Sequence, residues 1–273
     1  MAIKDLAVAY NGTANSHAAL RLAVRMAAKY GASITGLHVN PPLHLDNQTR
    51  QWIPDSILET LQKAEQDSVS GIEAQFRKEL ADLGHTSKGD WIAEQGEPNR
   101  VLAKGSRYFD ILLVGQFTTS NGVKAEIRPE DIVLLSGKPV IVVPKKYEDR
   151  PFNEFAVVAW DGSRPAARAL TDAMQILETK SRIDIVTVVP KDTPPDGGHD
   201  ILRHLRRHGI DARQVVLPDN GGIANTILTH CASTNPDILV MGAYSRTRIR
   251  EDIFGGTTRD VLENLTVPVL MAH

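Results

Sequence analysis

A single cysteine, Cys231, is all that a chain of 273 residues carries, so no disulfide can close within it and a reducing compartment is expected. Charge of one sign is missing too. The 31 Lys and Arg stand against 33 Asp and Glu, a formal net charge of −2, which gives no global pull toward nucleic acid or an acidic membrane. The opening stretch MAIKDLAVAY places Lys4 and Asp5 ahead of an alternating apolar run. That pattern is neither a signal peptide nor a membrane span. Two phosphate-binding fingerprints are also absent, G-x-x-x-x-G-K-[ST] and G-x-G-x-x-G. The expectation is a soluble, cytoplasmic protein with no nucleic-acid or membrane partner.

What is present is a repeat. The length allows roughly two domains, and 42% hydrophobic with 23% charged residues is ordinary for a globular chain. LAVAYNGTANSHAALRLAVRMAAKYGASITGLHVNP and FAVVAWDGSRPAARALTDAMQILETKSRIDIVTVVP share one plan: apolar strand, turn with Gly and a hydroxyl residue, amphipathic helix, second strand. Leu20, Ala23, Val24 and Ala27 fall on one helix stripe, as do Leu170, Ala173, Met174 and Leu177. Asn11 aligns with Asp161, Gly12 with Gly162 and Thr13 with Ser163. DILLVG (Asp110 to Gly115) answers DILVMG (Asp237 to Gly242), and KPVIVVP answers VPVLMAH. Near-continuous apolar strands imply a parallel sheet covered on both faces.

Each half therefore reads as β-α-β-α-β-α-β-α-β. The predicted fold class is α/β, with two repeated doubly wound domains, each a five-stranded, mainly parallel sheet flanked by helices. The predicted boundaries are residues 1–146 and 153–273, joined by the charged stretch Pro144 to Glu154. The helix after the second strand is long in the first half and much shorter around DILRHLRRHG in the second.

In open sheets of this kind ligands bind beyond the carboxyl ends of the strands. In the second half WDGS, VVP and GAYS…GGTT should converge there. Gly242, Gly255 and Gly256 permit close backbone approach or positive φ. A helix starting near Gly255 offers free N–H groups to phosphate, with Thr257 and Thr258 adding hydroxyls and Arg246, Arg248 and Arg250 adding positive charge. The plainer alternative is a turn beside a solvated face, with the arginines opposite Glu251 and Asp252.

The order strand–D-G-S–helix, strand–Val, then G-x-x-G-x(9)-G-[ST]–helix resembles the universal stress protein family. VVAWDGSRPAARAL and FGGTTRDVLENLTVPVLM carry the likeness best, and both halves share it. The resemblance implies an adenine nucleotide alpha hydrolase-like fold and a tandem member of the family. It also implies ATP or another adenine nucleotide as ligand, with Mg2+ as an accompanying ion. By position, Asp161 and Val188 line the adenine and ribose end, beside Gly162 and Ser163. Gly242 lies under ribose and phosphates. Ser245 and Gly255 stand at the phosphate glycines, and Gly256 at the phosphate hydroxyl. Two of these depart from the pattern: Ser245 replaces a glycine, and Gly256 replaces a hydroxyl residue for which Thr257 can compensate. The first half departs further, with Asn11 for the aspartate, Thr118 at the second glycine, EIRPED in the region of the glycine pair and a shorter loop. It is expected to be structural or to bind something else. The resemblance further implies pairing through the last strand of each domain, here a pseudo-dimer within one chain, with a homodimer of whole chains and protein partners open.

Other residues read as structural. His204 and His208 have metal-ligand spacing on a helix but no third ligand, and a solvated basic face explains them. His38 reads as packed or hydrogen-bonded, Cys231 as a small buried hydrophobe, Trp160 as packing and Ser163 as a helix N-cap. No catalytic constellation is evident. Three readings follow: a stress-response regulator binding adenine nucleotide in its second half, with at most slow hydrolysis; an interaction scaffold without nucleotide; and, least supported, a nucleotide hydrolase.

Overall fold

A computed structural model describes residues 2–42, 52–85, 89–116, 127–147, 152, 154–190, 199–244 and 256–273. The first half runs β1 (Asp5–Ala9), α1 (Ala14–Tyr30), β2 (Ser33–Asn40), α2 (Asp55–Asp82), β3 (Asp90–Gln95), α3 (Pro98–Gly105), a 3-10 turn (Ser106–Tyr108), β4 (Ile111–Gly115), α4 (Pro129–Ser136) and β5 (Val140–Val143). The second repeats the order: β6 (Phe155–Ala159), α5 (Arg164–Leu177), β7 (Arg182–Val189), α6 (His199–Arg207), β8 (Arg213–Pro218), α7 (Ile223–Thr234), β9 (Ile238–Gly242), α8 (Gly256–Asn264) and β10 (Val269–Ala272).

All ten strands form one sheet, in the order β3-β2-β1-β4-β5-β10-β9-β6-β7-β8. Within each half every pairing is parallel. The halves meet where β10 runs antiparallel to β5, with Leu270 opposite Ile141. The last strands thus pair inside one chain, and neither leaves an open edge at the centre. Alternation along the strands sorts the core into two layers. Leu6, Val8 and Tyr10 pack with α1, α2, α5 and α6, while Ala7 and Ala9 face the side of α3, α4, α7 and α8.

The repeated DIL stretches have a structural origin. Asp110 Oδ2 accepts the backbone N–H groups of Lys4 at 2.7 Å and Asp5 at 3.0 Å, clamping the start of β1. Asp237 Oδ2 does the same for Glu154 at 2.8 Å and Phe155 at 3.0 Å, and also binds the wholly buried Lys180 ammonium at 2.8 Å. The glycines closing the same stretches are equally structural. A Cβ on Gly115 would stand 2.4 Å from Asn15 O, and one on Gly242 would stand 2.4 Å from Ala166 N. In each half the end of the fourth strand lies directly against the first turn of the first helix, closer than any side chain allows.

The halves differ most at α2. It has 28 residues against nine in α6, about 42 Å of helix at 1.5 Å per residue. Only Phe76 and Leu80 in it are buried, and their turns lean across the end of β1.

Candidate functional site

β6 delivers the chain to a tight turn. The Trp160 N–H still bonds Val186 O at 2.8 Å, holding the turn to β7. Asp161 then folds back, its Oδ1 accepting the Ser163 N–H at 2.9 Å. Gly162 between them takes φ +71°, a left-handed conformation that favours glycine. Ser163 is the N-cap of α5, its Oγ accepting from Ala166 N at 3.3 Å, as expected of a hydroxyl there. Asp161 is exposed at the carboxyl end of the sheet, and its Oδ2 has no partner among the described residues.

β7 ends beside this turn. Val188 is half-buried on the layer that holds Met241 and Ala243, opposite Leu217 of β8. β9 flanks β6 on its other side, so its exit faces the same turn. Gly242 ends β9, but its α-carbon is turned into the first turn of α5. The chain then leaves through Tyr244, whose φ of +57° is unusual for a bulky residue. The Tyr244 N–H donates to Thr258 Oγ1 at 3.3 Å. Gly256 and Thr257 open α8 at the surface, whereas Thr258 is 5% exposed.

The structure therefore brings Asp161, Gly162, Ser163, Val188, Gly242, Gly256, Thr257 and Thr258 to one end of three adjacent strands. It gives Gly242 and Thr258 internal partners as well. Ser245 and Gly255 lie outside the described residues, as do Arg246, Arg248, Arg250, Glu251 and Asp252. Tyr244 went unnoticed in the sequence, where nothing marks a tyrosine for positive φ.

The first half builds the same turn and then covers it. Asn11 Oδ1 accepts from Thr13 N at 3.2 Å and Thr13 Oγ1 at 2.6 Å, and Thr13 caps α1. Gly12 has φ +74°, but a Cβ there would meet Gln75 Oε1 of α2 at 2.7 Å. His17 fastens the cover: its Nδ1 bonds Glu79 Oε2, and its Nε2 lies 3.3 Å from Gly12 O. Tyr10 OH also donates to Glu79 Oε2, at 3.1 Å, and burial pushes its phenol up to about 12. At Gly162, by contrast, an added Cβ would meet no atom of the described residues within 4 Å.

The residues set aside fall into place. His38 Nδ1 lies 3.0 Å from Tyr10 O and its ring stacks on Trp91. Cys231 is buried, its thiol pushed up to about 12 by burial. Trp160 packs half-buried against the core. His204 and His208 meet edge to face with centroids 4.8 Å apart, and no group of three His, Cys, Asp or Glu able to hold a metal occurs among the described residues. Among those residues, no helix is long and apolar enough to cross a membrane.

A duplicated parallel α/β unit, with its turns gathered at the strand ends, defines a class of tandem doubly wound proteins. Comparison with known proteins narrows it. The model of the universal stress protein family matches residues 2–114 and 156–273. The chain belongs to that family, as one with two copies of its unit. It is 27% identical over 169 residues to the universal stress protein Slr1230 of Synechocystis, an alignment spanning 59% of this chain and 57% of that protein. The fold is similar to the crystal structure of a universal stress protein from Archaeoglobus fulgidus, with TM-score 0.75, 18% identity and 99% and 96% of the two chains covered. It is also similar to the functionally unknown protein PA1789 of Pseudomonas aeruginosa, with TM-score 0.58, 14% identity and 99% and 92% covered. At such identities the likeness is one of fold.

Proposed function

We propose that this protein is a stress-response regulator whose second half binds ATP or a related adenine nucleotide, while its first half does not. The contrast between two copies of one turn carries the reading. Around Gly162 no described residue comes within 4 Å of an added Cβ and Asp161 is exposed, whereas Gly12 lies under Gln75 and is bonded to His17. In the proposed mode Asp161 accepts from a ribose hydroxyl or base amino group, and Val188 presents an apolar edge to the base. The N–H groups opening α8 at Gly256 and Thr257, with the Thr257 hydroxyl, take the phosphates. Mg2+ would arrive with the phosphates rather than on a protein cage. With no phosphate-loop lysine, turnover is at most slow and the output is conformational.

One observation favours the alternative, an interaction scaffold without nucleotide. The Thr258 hydroxyl already holds Tyr244, and Gly256 offers no hydroxyl. Two measurements decide: mass spectrometry of nucleotide released on denaturing the purified protein, and calorimetric titration with ATP. The expected result is binding in the wild type, loss in Asp161→Lys and no change in Asn11→Lys. A protein that is empty as purified and gives no heat with millimolar ATP would leave the scaffold reading standing.

A further inference from the structure

Helix α8 is held at both ends, by different halves of the chain. In its first turn Thr258 Oγ1 accepts the Tyr244 N–H at 3.3 Å. At its far end the Gln116 side chain, from the first half, donates through Nε2 to Leu262 O at 3.2 Å and Glu263 O at 3.1 Å. The last carbonyls of a helix lack partners within it, so these two bonds cap α8 from outside. Gln116 is itself immobilised. Its Oε1 accepts from Lys145 N at 3.0 Å, its N–H donates to Val143 O at 2.7 Å, and its carbonyl accepts from Asn15 Nδ2 at 2.8 Å. Backbone and side chain are thus both fixed, against β5, α1 and the opposite half. The repeat places Ala243 at the equivalent position of the second half, where no side-chain amide exists to cap α4 in return. From the second half α4 is met instead by Arg168, whose Nη2 donates to Gly137 O, just past the end of that helix, at 3.3 Å.

We propose that Gln116 is a positioning residue that couples the first half to the nucleotide site of the second, with α8 as the strut. The proposal rests on the nucleotide reading for the identity of the ligand; the mechanical link does not. Nine residues of helix make about 13 Å of rigid element. Phosphate bonded to the opening N–H groups of α8 acts along the helix axis, and the capped carbonyls at the other end are where that movement meets the first half. Coupling of this kind is reciprocal. If nucleotide tightens the Gln116 contacts, then loss of those contacts weakens nucleotide binding.

The readout is hydrogen exchange of the Lys145 amide, whose acceptor is the Gln116 side chain. It is followed by NMR on the full chain with and without ATP, in wild type, Gln116→Ala, Gln116→Glu and Thr258→Val. Gln116→Glu keeps length and acceptors but cannot donate to Leu262 and Glu263. The expected result is slower Lys145 exchange on adding ATP to wild type. Both Gln116 variants should lose that response and bind ATP about fivefold more weakly. A residue that merely stabilised the fold would alter exchange equally with and without ATP. Wild type that binds ATP with unchanged Lys145 exchange overturns the coupling and leaves the nucleotide reading intact. Wild type that binds no ATP overturns the nucleotide reading, and ligand-free Thr258→Val then decides the strut. Faster Lys145 exchange in that variant upholds it; unchanged exchange overturns it.

Discussion

Replacing Gly242 by alanine places a methyl carbon 2.4 Å from Ala166 N, 2.5 Å from Pro165 C and 2.8 Å from Pro165 Cβ. Comfortable contact for such atoms lies near 3.5 Å or beyond, so β9 and the first turn of α5 must part by about 1 Å. Neither side can give cheaply. β9 is hydrogen-bonded on both edges, to β6 and β10, and the α5 turn is fixed by Pro165 and the Ser163 cap. Overpacking a core costs about 1–3 kcal/mol, and backbone on both sides of the clash puts this case near the top, at about 3 kcal/mol. That corresponds to a fall in Tm of roughly 6–12 °C. The informative measurement is urea denaturation of nucleotide-free protein, because a glycine needed only for ligand approach would leave that curve unmoved. Gly115→Ala should cost as much, since its methyl would meet Asn15 O at 2.4 Å. Gly162→Ala meets no described residue and should carry the left-handed strain of about 1–2 kcal/mol. A Gly242→Ala protein within about 0.5 kcal/mol of wild type, without nucleotide, would refute the packing argument.

The two aspartate clamps should separate in energy. Asp237→Ala takes the carboxylate from the buried Lys180 ammonium and from two amides and should cost about 3 kcal/mol, whereas Asp110→Ala frees two partly accessible amides and should cost about 1 kcal/mol; equal urea midpoints for the two variants would contradict this. Stability should also fall in mild acid. The His230 imidazole is held below its ordinary value, first by burial and then by Arg182 and Arg213, with Asp184 opposing. A depressed folded value means the unfolded chain takes up the proton first. The stabilising contribution is therefore complete above about pH 6.5 and is lost as pH drops through the folded value. His230→Gln should show a smaller difference between urea midpoints at about pH 7.5 and 5.5 than wild type; an identical difference would count against the assignment.

How much of this could be read from the chain alone depends on the range of the interaction. The fold was legible because it is written twice: helix stripes, turn residues and apolar strands recur at nearly constant offsets, and each is a local signal. The turn at Asp161, Gly162 and Ser163 was legible for the same reason, as its bonds span two or three residues. The purpose of Gly242 was not. A glycine excluded by a helix some 77 residues earlier looks identical in sequence to one that admits a ligand. Thr258 likewise looked like a free hydroxyl, and its engagement depends on Tyr244 adopting a backbone conformation that tyrosine does not advertise. Gln116 carried no signal at all, because its partners lie 146 and 147 residues away.

These long-range contacts explain why two copies of one unit can diverge without losing the architecture. The atoms nearest an added Cβ on Gly115 or Gly242 belong to the first helix of the same half, and Asp110 and Asp237 each clamp the first strand of their own half. Both features survive in the half whose loop has lost the family's glycine pattern, which is what a structural role requires and a ligand role does not. Antiparallel pairing of β5 with β10 makes the association of the halves intramolecular, so its strength no longer depends on protein concentration. A half secured in that way can extend α2 over its own turn and still support its neighbour. Had the covered turn at Gly12 served the ligand proposed for the turn at Gly162, Gln75, His17 and Glu79 would all have to move aside first, breaking their bonds before any new contact formed. That cost falls on one half only, and it makes the second half the place to look for a bound nucleotide.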